Sequence, residues 1–134
     1  MDPLRPLVVF LALPLLLIGE AGGQAEEPKP AEASVKLTID YGDGVQTVFT
    51  ALKWREGMTV LDAMNDAKKH ARGIKFQYRG KGQTAFLTQI ADLKNEGRGR
   101  NWIFRVNGKL GEASFGVARL KAGDAILWKF GKYR

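Results

Sequence analysis

The chain has 134 residues, no cysteine, one histidine, and 21 Lys and Arg against 14 Asp and Glu, for a formal charge of +7. Without cysteine there are no disulfides and no thiolate metal ligands, so a packed core must hold the fold, and a single histidine leaves a zinc site short of ligands. The basic balance favours anionic partners but does not by itself define a site.

The run Leu7-Val8-Val9-Phe10-Leu11-Ala12-Leu13-Pro14-Leu15-Leu16-Leu17-Ile18 is uncharged and follows Arg5. It has the length of a signal-peptide core and is too short to span roughly 30 Å of hydrocarbon comfortably. Small residues follow, so cleavage is expected after Ala21 or Ala25, and Ala25 is favoured. This predicts a signal peptide over 1–25, a flexible linker over 26–33 and one domain over 34–134. Cleavage removes Arg5, Asp2 and Glu20, leaving 20 basic and 12 acidic residues and a charge of +8. The product is expected to be exported, periplasmic or extracellular, with no stable transmembrane span. Glu26-Glu27-Pro28-Lys29-Pro30 has nothing to bury and suits a tether.

Val35, Leu37 and Ile39 alternate with Lys36, Thr38 and Asp40, the period of a half-buried strand. Asp43-Gly44 supplies a tight turn and 45–52 returns as a second strand. Thr59 and Asp62 then have the spacing of a helix N-terminus, and Val60, Met64, Ala67 and Ala71 form one apolar stripe. Lys68, Lys69, His70 and Arg72 put positive charge at the helix C-terminus, and Gly73 closes it. Residues 74–79, 84–90, 102–106 and 125–130 read as strands, with the basic, Gly-rich stretch 95–100 as a loop. Asn107-Gly108 predicts a hairpin, because both central residues of a type I′ turn need positive φ. Hairpin, helix, then strands define an α+β class with one mixed sheet and a single helix packed on one face.

Enzymatic chemistry is short of parts. His70 is the only histidine, and Ser34 and Ser114 are the only serines, so a Ser-His-carboxylate site would have to join a helix end to the tether or a late loop. Asp40-Tyr41-Gly42-Asp43-Gly44 superficially matches a calcium loop, but Gly42 and Gly44 stand where ligands belong. Gly80-Lys81-Gly82-Gln83-Thr84 lacks the spacing of a phosphate loop and lies between strands. The aromatics Trp102, Phe104, Trp128 and Phe130 alternate along strands and so face a core, which makes a nucleic-acid stacking platform a poor reading. At least two of Trp54, Trp102 and Trp128 are expected in the core.

Four segments carry a family likeness: Val35-Lys36-Leu37-Thr38-Ile39-Asp40, Gly57-Met58-Thr59-Val60-Leu61-Asp62-Ala63-Met64, Trp102-Ile103-Phe104-Arg105-Val106-Asn107-Gly108 and Leu120-Lys121-Ala122-Gly123-Asp124-Ala125-Ile126-Leu127-Trp128-Lys129-Phe130. In this order they resemble the domain-of-unknown-function family related to the C-terminal domain of transcobalamin and intrinsic factor. The resemblance implies a β-grasp-like fold, export and binding rather than catalysis, for a small soluble ligand (cobalamin-like) or a protein partner. In transcobalamin that domain caps cobalamin against a helical barrel, which the rest of this chain does not supply. Phe104 and Phe130 stand where the pattern usually has tyrosine.

The ligand-binding candidates are Trp102, Phe104, Asn107, Gly108 and Trp128, with no metal and no cofactor expected. The alternative is electrostatic binding of an anionic polysaccharide or lipid surface through Lys68, Lys69, Arg72, Arg79, Lys81, Arg98 and Arg100.

Overall fold

The computed structural model describes residues 32–133. The expected signal peptide over 1–25 and most of the expected linker over 26–33 lie outside these residues. No described helix is long and apolar enough to cross a membrane.

Strand β1 (Ser34–Asp40) turns its Val35, Leu37 and Ile39 fully inward, as the alternation predicts. It pairs antiparallel with β2 (Gln46–Lys53). The connection is wider than a two-residue turn: Tyr41 N–H reaches Val45 C=O at 3.1 Å, and the Asp40 and Asp43 carboxylates accept from Gly42 and Val45 N–H. Gly42 has φ +81° and sits against the Phe130 carbonyl, where a Cβ would collide. A register shift opposite Lys36 leaves Thr50 and Ala51 as a bulge in β2.

Helix α1 (Val60–Lys69) starts with the expected capping box: Thr59 Oγ1 accepts from Asp62 N–H at 3.1 Å and Asp62 Oδ2 accepts from Thr59 N–H at 2.9 Å. The first helical amides, Val60 and Leu61, donate to the Ala118 and Phe115 carbonyls, so the loop after residue 110 closes over the helix start. Val60, Ala63, Met64 and Ala67 are buried. The helix ends at Lys69, with His70 already extended, so Ala71 falls outside the stripe and is exposed. Gly73 ends it by proximity, since a Cβ there would meet the carbonyls of Ala67, Lys68 and His70.

The remaining strands are β3 (Phe76–Arg79), β4 (Phe86–Ile90), β5 (Leu93–Lys94), β6 (Asn101–Val106), β7 (Lys109–Leu110) and β8 (Ala125–Gly131), with a short 3-10 turn at Gly82–Thr84. They form not one sheet but two, a five-stranded sheet in the order β2-β1-β8-β6-β7 and a three-stranded sheet in the order β3-β4-β5. In the larger sheet β1 and β8 are parallel and the other pairs antiparallel, the mixed β-grasp arrangement expected. The second sheet exists because β3, β4 and β5 find partners in each other through tight turns and carry their own apolar residues, Phe76, Leu87 and Ile90, into the core.

α1 packs on β1 and β2. The same sheet face continues into Trp102, Trp128 and Phe130, which join Phe76, Leu87, Ile90 and Phe115 in one apolar cluster. The opposite face has no described helix or strand packed over it.

Candidate functional site

Strand β6 has a partner along its full length on one side, β8, but on the other side β7 pairs only with Arg105 and Val106. The edge from Asn101 to Phe104 therefore lacks a strand. Part of it is satisfied by side chains and turns: Trp102 N–H donates to Asn95 Oδ1 at 2.8 Å and Phe104 C=O accepts from Gly111 N–H at 3.1 Å. By the alternation of an antiparallel ladder, Trp102 C=O and Phe104 N–H point to the same open side.

A groove runs along this edge, bounded across the gap by β4. It consists of two adjoining hollows that share Phe86, Trp102 and Ile103. The smaller, about 220 Å³, is apolar, walled by Leu87, Trp102, Phe104, Phe115 and Trp128 with the Ser114 side of the following loop. The larger, about 790 Å³, is polar and aromatic, walled by Gln77, Arg79, Phe86, Lys94, Asn101 and Tyr133. Phe86 and Tyr133 are 51% and 66% exposed, large for aromatic side chains with no described partner element over them.

Three of the candidate residues read from the sequence, Trp102, Phe104 and Trp128, line the apolar hollow. Trp102 and Trp128 are both buried, which bears out the expectation that at least two tryptophans belong to the core. Their indoles differ in one respect. Trp102 Nε1 donates to Leu93 C=O at 2.8 Å, whereas Trp128 Nε1 is buried with no hydrogen-bond partner. Buried donors are nearly always paired, so this unpaired one, itself sealed from solvent, is a chemical feature in its own right. Trp128 stacks obliquely on Phe104 at 4.9 Å between ring centroids and edge-on with Phe115 at 5.4 Å. Gly111 lies directly under the Phe104 ring, leaving no room there for a Cβ.

Asn107 and Gly108 form the expected turn, with φ of 52° and 82°, but neither lines the groove. The Asn107 amide is engaged within the fold, its nitrogen donating to Asp124 and its oxygen accepting from Ala125. Phe130, the other position departing from the tyrosine pattern, is buried beside Trp102, so of the two phenylalanines only Phe104 changes the groove wall.

The seven cationic candidates fall in separate parts of the fold. Lys68 and Lys69 close α1, Lys68 lying 5.7 Å from the Phe76 ring, while Arg72 borders a different hollow with His70 along the outer edge of β2. Arg79 lies over Phe86 at 5.2 Å, and Lys81 precedes the 3-10 turn. Arg98 is in the Gly-rich loop, and Arg100 is held by Glu96 at 3.1 Å and by the Phe130 ring at 5.0 Å. Glu96 accepts from both the backbone N–H and the guanidinium of Arg100, which holds its carboxyl below the usual carboxylate range.

Gln77, Phe86, Asn95, Asn101 and Tyr133 were not evident as site residues in the sequence. Phe86 had a signal: it lies out of phase with Ala85 and Leu87, both buried, and so must point outward. Asn95 and Asn101 had none, because their role is to stitch the loop, Asn101 bonding Gly97 through both its amide groups at 2.9 Å. Ser114 also serves the fold, donating to Ala85 C=O at 2.6 Å, and no hydrogen bond joins His70 to either serine among the described residues. Nor do the described residues gather three or more His, Cys, Asp or Glu side chains able to hold a metal ion.

A β-grasp-like sheet with an aromatic groove at one open strand edge defines the class of domain. Residues 57–132 match the family described as Domain of unknown function (DUF4430), and the chain belongs to that family. No curated protein matches it. Among solved structures, a protein from Ruminococcus gnavus ATCC 29149, described as a candidate metal-binding protein, is similar with a TM-score of 0.54 and 17% identity, over 76% of this chain and 100% of that one. At that identity the likeness concerns the fold.

Proposed function

We propose that the chain is an exported, non-enzymatic binding module whose ligand occupies the groove between β6 and β4. The observation that carries this reading is the apolar hollow itself, where Trp102, Phe104 and Trp128 meet. A fitting ligand is a small amphipathic molecule. Its apolar end fills the inner hollow, and its polar body spreads over Gln77, Arg79 and Asn101 in the outer one. Ligand sites commonly combine an apolar lining with a few placed polar groups in this way.

The resemblance to the C-terminal domain of transcobalamin nominates cobalamin as the first compound to test. The replacement of the usual tyrosine by Phe104 removes one hydroxyl from the wall and makes that contact purely apolar. Equilibrium dialysis of the full chain against cobalamin is expected to show saturable retention that Phe104→Ala reduces. Retention unchanged in Phe104→Ala would move the site elsewhere, and no retention would remove the corrinoid and leave a protein partner as the ligand of the same groove.

A further inference from the structure

The face of the five-stranded sheet turned away from α1 is set by the strand register. One row across it carries Arg105, Leu127, Thr38 and Val48, and the next carries Ile103, Lys129, Asp40 and Gln46. Ile103 and Leu127 are only half-buried, and Val48 is 43% exposed. Arg100, Arg105, Lys129 and Lys132 surround Ile103 and Leu127 in one shallow hollow of about 600 Å³. Among the described residues the ion pairs are Arg55 with Asp66 and Arg100 with Glu96, so Arg105 and Lys129 are in no ion pair, and Lys132 has only a longer-range attraction to Glu96. The nearest acid by register, Asp40, already accepts from Gly42 N–H and Gln46 Nε2.

We infer that this face docks an acidic segment of a partner protein, one that combines carboxylates with aliphatic side chains. The charge on the face selects an anion, and guanidinium and ammonium groups suit carboxylates. The aliphatic floor narrows the choice. A polysaccharide has no aliphatic side chain to set on Ile103 and Leu127. A bilayer is entered by apolar groups that project, whereas these two are half-buried in a hollow lined with cations. A protein segment supplies both kinds of group at once. This surface adjoins the β6–β4 groove at Ile103, which lines both, and it uses mostly different residues from the cations singled out in the sequence; only Arg100 is common to both sets.

The test is binding of a fluorescently labelled glutamate- and leucine-containing peptide to the full chain, beside its leucine-to-serine counterpart, a sulfated polysaccharide and phosphatidylserine vesicles. The expected result is that the leucine peptide binds and its serine counterpart binds several-fold more weakly. Arg105→Gln with Lys129→Gln should weaken the leucine peptide about tenfold, given the modest contribution of each exposed charge pair. A control with the same charge change, Lys69→Gln with Lys81→Gln, should stay within about twofold, because those cations lie off this face. Equal losses in the two double variants would overturn the site. Equal binding of the two peptides, or binding of the polysaccharide or vesicles in preference to the leucine peptide, would overturn the partner class. Circular dichroism of each variant verifies folding, and Leu127→Ser, which leaves every charge in place, gives a second reading: it should weaken the leucine peptide and not the serine one.

Discussion

Asn107 and Asp124 are joined side chain to side chain, the Asn107 Nδ2 donating to Asp124 Oδ1 at 2.8 Å. The same asparagine accepts from Ala125 N–H at 2.9 Å, and Asp124 Oδ2 accepts from Lys121 N–H at 2.7 Å, so the β6–β7 turn is locked to the start of β8. Asp124 is the buried charged residue among those described, and its oxygens are both occupied.

Asn107→Ala should therefore act on stability. It loses a hydrogen bond to a charged group, worth about 1.5–3 kcal/mol, and puts alanine in a left-handed conformation that asparagine tolerates better. Asn107→Gly, which relieves the second cost, should lose less. Urea unfolding of the full chain measures both, and equal losses for the two variants would show that the backbone conformation contributes nothing.

Trp102 and Trp128 are almost equally buried but should respond differently to replacement by phenylalanine. Trp102→Phe deletes the bond to Leu93, while Trp128→Phe deletes a donor that has no partner. Leaving a buried polar group unmet costs about 1–3 kcal/mol, so Trp128→Phe recovers part of what its smaller ring loses. The expected order is Trp102→Phe less stable than Trp128→Phe by about 1 kcal/mol, near the net worth of one hydrogen bond. The reverse order in denaturant midpoints would contradict this account of the two indoles.

In the β1–β2 loop, Gly42 and Gly44 have similar positive φ, +81° and +92°, but only Gly42 meets a neighbour, the Phe130 carbonyl. Gly44→Ala should cost about 1–2 kcal/mol of backbone strain. Gly42→Ala should cost clearly more, because β8 backbone must also shift. Comparable melting temperatures for the two variants would show that the contact with Phe130 yields freely.

Glu96 titrates below the usual carboxylate range because the Arg100 backbone N–H, and then its guanidinium, bind the ionised form. A carboxyl with a lowered folded pKa stabilises the folded state fully above its unfolded pKa, about 4.3. That contribution is lost as pH falls through the lower folded value. The loop 95–101 should thus loosen below about pH 4, seen as a shift of the Arg100 amide resonance that Glu96→Gln abolishes. An Arg100 amide that titrates identically in Glu96→Gln would assign the effect to another group.

Much of the fold was legible because local rules and global packing agree in it. Val35, Leu37 and Ile39 alternate and are buried, Thr59 and Asp62 form the box their spacing predicts, and Asn107-Gly108 turns with both φ positive. The second sheet was not legible, since strand periodicity at Phe76 and Leu87 says which side is apolar and nothing about which strand lies alongside. The site was half legible for the same reason. Trp102, Phe104 and Trp128 were singled out by type and motif, yet the groove they line depends on β6 having a short partner in β7 and on β4 standing across the gap. Asn107 stands away from the groove, its side chain engaged with Asp124 and Ala125, partners that lie far along the chain.

The central claim is that the β6–β4 groove is a ligand site, and the most direct measurement is the melting temperature of the full chain and of Phe104→Ala, each with and without cobalamin, at low and high salt. A ligand at 100 times its dissociation constant adds about 2.7 kcal/mol, and each kcal/mol moves a small domain by roughly 4–8 °C. The account predicts a rise that persists in high salt and disappears in Phe104→Ala. A rise of equal size in both proteins, or one that salt abolishes, would contradict it.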